Sequence, residues 1–195
     1  MELIFASHNP HKLSEVRAIL SDLPVVVTDL KEIGADSEVE ETGTTFRENA
    51  RIKAEFFYKK FKKPVFADDS GLIVTALGGE PGVHSARYAG EHGNHYKNNL
   101  YLLEKMQGIT ERDAYFLTVI CFFDNTGQAH FFEGRLNGEI AYELKGSGGF
   151  GYDPVFYLPE YNSTLAEMGV LKKNQLSHRY LALKEFAKYL KKEVG

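Results

Sequence analysis

Hydrophobic positions follow two different spacings along the chain, and the first third predicts a strand followed by two helices. Residues 2–6 form a short apolar run that is typical of a buried strand. Asn9 is a suitable N-cap, Pro10 suits the first helical position, and leucine and valine then recur at helical spacing. A second helix is predicted to begin near Thr45, because Thr45 and Glu48 have the spacing of a capping box.

The rest of the chain mixes strand and helix patterns. An apolar strand over residues 65–67 is predicted to end at Asp68 and Asp69, before a turn at residues 70–71. A turn at residues 125–127 is predicted to join two strands as a hairpin. We therefore expect an α/β domain with a mixed sheet. Further strands are predicted over residues 25–28, 73–77, 114–124, 130–136 and 140–144, and further helices over residues 94–106 and from Ser177 onwards.

Composition is that of a globular protein with a small negative charge. The 195 residues suit one domain, with or without two lobes, and a 43% apolar content allows a buried core. The net charge of −4, without a basic tail, argues against a nucleic-acid partner but not against a small phosphate ligand. The single cysteine, Cys121, lies in an apolar run and is expected to be buried. We see no signal-like segment or apolar stretch of about 18 residues, so we expect a cytosolic protein without a membrane partner.

The first segment with candidate chemistry is SHNPHKLSE, residues 7–15. A helix that begins after a strand offers free backbone N–H groups and a positive dipole end, which suit a phosphate. Ser7 and Asn9 can add side-chain donors, and Lys12 lies within the first turn. The alternative is a structural Asn-Pro cap followed by a surface lysine.

Possible metal ligands occur in three places, of which the first two are an acidic cluster and a pair of histidines. Glu38, Glu40 and Glu41 precede the second helix and could hold a hard divalent cation through oxygen ligands. An exposed acidic helix entry is the alternative. His92 and His95 also have a spacing that could bind metal, but a loop and the lack of a third ligand argue against zinc.

The segment FADDSGLIV, residues 66–74, is the strongest local signal. It places Asp68 and Asp69 at the predicted end of a strand, where ligands bind in open α/β sheets. Two adjacent acids repel, so a cation or a shifted pKa is expected. One could bind Mg²⁺ while the other accepts a proton from water. An ordinary Asp-Asp-Ser-Gly turn is the alternative.

A glycine-rich loop follows at residues 145–156. Gly146, Gly148 and Gly151 match the dinucleotide fingerprint in spacing, but no helix is predicted after them, so we reject that interpretation. Glycines allow the backbone to approach a ligand, and Phe150 could offer a ring face to a base. The alternative is a turn with Phe150 packed inward.

The last segment, residues 172–183, is predicted to begin a helix with Ser177 as its N-cap. His178 and Arg179 then lie in the first turn. An arginine is unfavourable at a helix start unless an anion is nearby, which favours a functional role. A solvated polar helix entry is the alternative.

Together these segments resemble the inosine triphosphate pyrophosphatase family, also called dITP/XTP pyrophosphatases. The matching segments occur in order along nearly the whole chain: SHNPHKLSE, ETGTTFRENARIKA, FADDSGLIVTALGGEPGVHSARYAG, GSGGFGYDPVF and KNQLSHRYLAL. The resemblance implies one α/β domain over residues 1–195, with a long curved mixed sheet flanked by helices, two lobes, an active-site cleft between them, and a homodimer. It also implies Mg²⁺-dependent hydrolysis of ITP, dITP and XTP to the monophosphate and pyrophosphate, which cleanses the nucleotide pool.

The resemblance further implies roles for particular residues. Asp69 matches the proton acceptor, and Asp68 and Lys12 complete the catalytic group. Glu40 or Glu41, with Asp68 and Asp69, match the ligands of Mg²⁺. The residues implied to bind the nucleotide are Ser7, His8, Asn9, Lys12, Lys53, Ser70, Phe150, Gly151, Tyr152, Asp153, Lys173, His178 and Arg179.

One departure and three competing hypotheses accompany this resemblance. His8 stands where family members usually carry glycine, so the phosphate loop is expected to differ in geometry. The competing hypotheses are a nucleotide sensor without hydrolysis, an RNA-binding protein that uses Phe150, and a pyrophosphatase for modified pyrimidine or ordinary nucleotides. Arg179 and backbone N–H groups are expected to recognise the 6-keto group of the purine.

Overall fold

The computed structural model describes residues 1–194, and its helices and strands mix along the chain as expected. The strands are β1 (Glu2–Phe5), β2 (Val26–Asp29), β3 (Val65–Val74), β4 (Asp113–Phe123), β5 (Ala129–Ile140), β6 (Phe156–Leu158) and β7 (Ser163–Thr164). The α-helices are α1 (Pro10–Leu20), α2 (Phe46–Phe61), α3 (His95–Lys105), α4 (Val170–Leu176) and α5 (His178–Val194).

The strands form one mixed sheet with the order β2-β1-β3-β4-β5-β6-β7. β1 pairs in parallel with both β2 and β3, whereas β6 pairs antiparallel with β5 and with β7. The predicted α/β class with a mixed sheet is therefore confirmed. The predicted capping box is also confirmed, because Thr45 accepts from the backbone of Glu48 and the Glu48 side chain accepts from the backbone of Thr45. Within residues 1–194, none of the helices is long and apolar enough to cross a bilayer.

Three strand predictions were wrong. Asp68 and Asp69 do not end a strand before a turn, because β3 continues through them to Val74, with β1 and β4 beside it in the sheet. Sheet neighbours override the weak strand preference of Asp, Ser and Gly. Residues 75–77 form a 3₁₀ turn instead of extending a strand. The strand predicted over residues 140–144 is not formed beyond residue 140, where β5 ends. The Arg112 guanidinium instead donates hydrogen bonds to the carbonyls of residues 140 and 141.

Contacts divide the chain into two compact units. The first comprises Met1–Asp69, Thr118–Gly134 and the chain from Arg179 onwards, and the second comprises Ser70–Leu117 and Arg135–His178. The second unit has one apolar cluster, which includes residues of α3, β4 and β6.

The first unit has apolar clusters on both faces of its strands. Leu3 and Phe5 of β1 pack with α1 and α5, whereas Ile4 packs with α2. This is the alternation of side chains that a strand imposes. Cys121 belongs to the cluster with Ile4 and is fully buried, as predicted, and burial raises the pKa of its thiol to about 12.

Candidate functional site

The two adjacent aspartates of β3 project toward different helices. The two residues before the aspartates pack on opposite faces of the strand. Phe66 packs in the apolar cluster that contains residues of α1 and α5, and Ala67 packs in the cluster that contains residues of α2. Because side chains alternate along a strand, Asp68 continues the face of Phe66 and Asp69 continues the face of Ala67. The strand therefore presents one carboxylate to each layer of helices in the first unit.

Asp68 is surrounded by cations. The Lys12 ammonium of α1 donates to both carboxylate oxygens of Asp68, at 3.0 and 2.8 Å. The Nε of Arg179 lies 3.5 Å from Asp68 Oδ2, and its Nη1 donates to Glu15 at 2.8 Å. Burial opposes ionisation of Asp68, but Lys12, Arg179 and Lys53 outweigh it and hold the pKa of this carboxyl well below its usual range. Asp68 is therefore an anion that fixes two cationic side chains.

Asp69 has a different environment on the α2 side. Lys53 Nζ lies 3.7 Å from Asp69 Oδ1 and 2.6 Å from Glu41 Oε1. The Asn49 side chain hydrogen-bonds to Asp69, and its Oδ1 also accepts from the backbone of Gly43 at 2.8 Å. Burial raises the pKa of Asp69 to about 6, with help from the charges of Glu41 and the preceding aspartate and against the effects of Lys53 and Asn49. A carboxylate with such a pKa suits proton transfer near neutral pH.

The start of α1 is positively polarised and carries Lys12. Asn9 accepts a hydrogen bond from the Lys12 backbone at 3.2 Å, and Ser7 Oγ accepts from the Asn9 backbone at 3.2 Å. The predicted helix start is therefore confirmed, with His8 exposed beside it. A positive helix end with an ammonium group in its first turn can bind an anionic group such as a phosphate.

The carboxylates of the first unit fit Mg²⁺ only in part. Glu41 and Asp69 both lie beside the ammonium of Lys53, whereas Glu40 is exposed. Across residues 1–194, no cluster of three or more His, Cys, Asp or Glu side chains forms a ready metal site. Mg²⁺ in nucleotide enzymes is commonly held by one or two carboxylates together with substrate phosphates, and this donor set matches that chemistry.

The glycine-rich loop of the second unit presents Phe150 to solvent. Phe150 is 68% exposed, so the alternative of an inward-packed ring is excluded. Its backbone N–H donates to Asp153 Oδ2, and the Lys173 ammonium also contacts that oxygen. Gly149 has a φ of +86°, and a Cβ at this position would collide with the Asp153 carboxylate. Asp153 is buried, and it supports the loop from within.

Other predicted binding residues of the second unit have structural contacts. The Tyr152 side chain is buried and its hydroxyl donates to the carbonyl of Ser85 at 2.8 Å. The Gly151 carbonyl accepts from Asn99 at 2.9 Å. The His178 ring stacks on Phe116, with ring centroids 4.8 Å apart.

The structure brings the predicted residues together in two groups. The first unit gathers Lys12, Glu41, Lys53, Asp68, Asp69 and Arg179, and the second unit gathers Phe150, Gly151, Asp153 and Lys173. Ser70 is half-buried in β3, immediately after the two aspartates. Arg179 was assigned from sequence to base recognition, yet its guanidinium contacts Asp68 and Glu15.

Two residues of the first unit that contact charged side chains of the site, Asn49 and Glu15, were not assigned to it from sequence. Asn49 precedes Lys53 by four residues, so their shared helix face was a usable signal for a second polar group beside Asp69. Glu15, the carboxylate that contacts Arg179, had no distinguishing signal. Its partner lies 164 positions away in the chain.

A half-buried carboxylate of raised pKa beside an ammonium group, on a mixed sheet, is typical of the active site of an α/β enzyme. The comparison with known sequences specifies the family. The model of the Ham1 family matches residues 3–189, and the chain belongs to that family.

Relatives match the chain over its whole length. A dITP/XTP pyrophosphatase of Porphyromonas gingivalis is 50% identical over 190 residues, which are 97% of each chain. A dITP/XTP pyrophosphatase of Halalkalibacterium halodurans is 47% identical and covers 97% of this chain and 98% of its own. The solved structure of the Staphylococcus aureus Ham1 protein has a TM-score of 0.93 and 42% identity, covering 99% of this chain and all of that one. The resemblance inferred from sequence is therefore confirmed.

Proposed function

We propose that this chain is a nucleoside triphosphate pyrophosphatase that hydrolyses dITP, ITP and XTP to the monophosphate and pyrophosphate with Mg²⁺. The observation that carries the proposal is the pair of aspartates in β3. Asp68 fixes cations that suit a triphosphate, and Asp69 has a raised pKa that suits a general base. Relatives up to 50% identical over the full length are named dITP/XTP pyrophosphatases, which supports this substrate class.

Lys12 and Arg179 bind the triphosphate in this proposal. Both cations lie against Asp68, and Lys12 is in the first turn of α1. Asp68 holds their charged groups in place before the substrate arrives. Preorganised cations of this kind stabilise the negative charge that develops on a leaving pyrophosphate. Ser7, His8 and Asn9 border the same helix start and add polar contacts.

Asp69 accepts the proton of the water that attacks the α-phosphorus. Its pKa of about 6 leaves the carboxylate mostly ionised at neutral pH and still basic enough to take a proton. Lys53 lies between Asp69 and Glu41 and moderates their repulsion. Glu41 and Asp69 would hold Mg²⁺, and the ion would neutralise charge on the phosphates when bound.

Phe150 supplies the stacking surface for the purine. Its ring is exposed while its backbone is fixed by Asp153, so a base can stack without first ordering the loop. A 6-keto purine accepts hydrogen bonds from N–H donors, and the Lys173 ammonium and loop backbone amides offer such donors. Adenine presents an amino group at that position and would leave the donors unpaired, which disfavours ATP.

One assay tests the reaction and its alternatives. The protein is incubated with Mg²⁺ and, separately, ITP, XTP, dITP, GTP, ATP and dUTP, and pyrophosphate and orthophosphate are measured independently. We expect pyrophosphate, released chiefly from ITP, dITP and XTP. Orthophosphate as the first product would mean cleavage at the γ-phosphate. Binding of ITP without either product would favour a nucleotide sensor.

A homodimer is also proposed, because the family resemblance implies one. Light scattering coupled to size-exclusion chromatography measures the mass directly. The chain has a mass of 22.0 kDa, so we expect a species of twice that mass. A monomer at micromolar concentration would contradict the dimer without affecting the proposed reaction.

A further inference from the structure

Helix α3 supports the loop that carries Phe150. The His95 ring lies against the Phe150 ring, with centroids 4.2 Å apart and an angle of 64° between the rings. This is the edge-to-face geometry that aromatic pairs prefer. His95 is the first residue of α3, and Asn94 caps the helix by accepting from the Lys97 backbone. The helix predicted over residues 94–106, which includes His95, is therefore confirmed.

Asn99 follows His95 by one helical turn and holds the same loop. Its Nδ2 donates to the carbonyl of His95 and to the carbonyl of Gly151, both at 2.9 Å. Residues four apart lie on the same face of a helix, so α3 directs His95 and Asn99 toward the loop together. The loop is thus held at two consecutive residues, by the ring contact at Phe150 and by the Asn99 amide at Gly151.

The environment of Asn99 indicates that this residue has a role besides filling space in the core. The residue is 97% buried, and within the described part of the chain its Oδ1 has no hydrogen-bond partner. Buried acceptors are almost always paired, because leaving one unpaired costs stability. A leucine of similar volume would avoid that cost but could not donate to Gly151. Local violations of this kind are typical of positions that serve function.

Asp153 makes a third contact that holds the loop. The buried carboxylate of Asp153 accepts from the Phe150 backbone and contacts the Lys173 ammonium. The backbone of Phe150 is therefore fixed by Asp153, while the direction of its ring is limited by His95. The ring remains 68% exposed, so a large part of its surface is free for a planar ligand.

We propose that His95 and Asn99 are positioning residues that hold the Phe150 ring at the angle required for stacking on the base of the nucleotide. This inference rests on the proposed function, because it assigns the base-recognition step of that reaction to α3. A ring that is held before binding loses less conformational freedom when a base stacks on it. The two residues act on binding of the base, through contacts within the second unit. Their loss should therefore raise KM and leave kcat unchanged.

The first test compares H95A with a neighbouring control. Tyr96 is the next residue of α3 and is 63% exposed, so Y96A removes an aromatic ring from the same helix without touching the loop. We expect H95A to raise the KM for ITP and the Kd for IMP about three- to ten-fold, the range that loss of an aromatic pair gives, with kcat and pyrophosphate binding unchanged. H95F restores a ring at this position and should recover most of the loss. Equal KM values for H95A and Y96A, or no recovery in H95F, would overturn the role of the ring contact.

The second test does not depend on activity. The chain contains no tryptophan, so F150W introduces a single indole emitter at the stacking position. In the F150W background, H95A and N99L should lower the fluorescence anisotropy and increase quenching by acrylamide, whereas Y96A should change neither. Unchanged anisotropy in both H95A and N99L would overturn the proposal. If the wild-type chain does not release pyrophosphate, the proposed function fails, while this readout still decides whether α3 orients residue 150.

Discussion

Asp68 and Asp69 are consecutive residues of one strand, yet they have cationic partners on opposite faces of the sheet. Lys12 of α1 and Arg179 of α5 contact Asp68, and Lys53 of α2 lies beside Asp69. Their pKa values move in opposite directions, because charges from several cations dominate at Asp68 and burial dominates at Asp69. Strand alternation therefore gives identical side chains different surroundings, which suit a fixed anion at Asp68 and the proposed base at Asp69.

The proposed role of Asp69 as proton acceptor predicts a large loss of turnover when its carboxylate is replaced by an amide of the same shape. Asp69→Asn keeps the shape of the side chain but removes its basicity, so we expect turnover of ITP to fall by at least about 100-fold. Circular dichroism and thermal unfolding check that the fold is retained. Asp22→Asn, an exposed aspartate in the same unit, is the matched control. Near-normal turnover in Asp69→Asn would remove Asp69 from the base role.

The raised pKa of Asp69 also predicts a pH-dependent cost in stability for the metal-free protein. The folded-state pKa of Asp69 is about 6 and its ordinary value is 3.8, so the folded state binds the proton more tightly. Stability is therefore lost as the pH rises from about 4 to above 6, by roughly 3 kcal/mol in total. Asp69→Asn should lack this loss.

Urea unfolding in EDTA measures that difference. We expect Asp69→Asn to gain stability relative to the wild type between pH 4.5 and pH 7.5, with the two proteins closest at the lower pH. Comparing the change between the two pH values removes any constant effect of the substitution. Parallel stability curves for the two proteins would mean that the pKa of Asp69 is not raised.

The position of Glu41 beside Lys53 predicts which acid of the α2 entry binds Mg²⁺. Glu41→Gln should raise the Mg²⁺ concentration required for half-maximal activity by at least about 10-fold, the lower end of the effect of changes around metal ligands. Glu40→Gln alters the adjacent exposed acid and should change this concentration little. Titration of activity with Mg²⁺ measures both. A larger effect in Glu40→Gln would reverse the assignment.

The contact between Lys12 and Asp68 predicts strong coupling in stability. Lys12→Met leaves a carboxylate that is 5% exposed without its nearest cation, and we expect a loss on the order of 3 kcal/mol. Asp68→Asn in the Lys12→Met background removes the charge and should recover part of that loss. Urea unfolding of the two single variants and the double variant gives the coupling energy. Additive losses would show that the two groups do not stabilise each other.

The exposed ring of Phe150 predicts selective loss of nucleotide binding. Phe150→Ala should weaken binding of IMP about 10-fold or more, as loss of a stacked base does, and leave binding of pyrophosphate unchanged. Tyr142→Ala removes a ring that is 77% exposed from the same unit and serves as the control. Isothermal titration calorimetry measures both ligands. Equal losses for IMP and pyrophosphate would argue against base stacking.

Local signals in the sequence predicted the helix starts and the class of the fold. The Asn9 cap and the Thr45–Glu48 capping box depend on contacts within four residues, so they could be recognised without the tertiary structure. The course of β3 could not, because residues 68–71 have little strand preference and are extended only beside other strands of the sheet. β6 and β7 are three and two residues long, too short to show a periodic pattern.

The sequence identified the residues of the site, but it did not identify the contacts that those residues make. The acids and lysines were identified from their segments, but the sequence did not indicate that Arg179 contacts Glu15 or that Tyr152 is buried. The contact of His95 with Phe150 joins positions 55 residues apart and depends on how α3 packs on the loop. Contacts of this kind follow from tertiary packing, which a single sequence does not display.

The alternation of β3 makes the spacing of its residues as important as their identity. Inserting or deleting one residue between Val65 and Ala67 would rotate every later side chain of the strand by half a turn. The first acid of the pair would then face α2 and the second would face α1 and α5, although both acids and all their partners would still be present. The number of strand residues before the two acids thus decides which helices each acid faces. Homologues or designs that use the same pair of acids must keep that number.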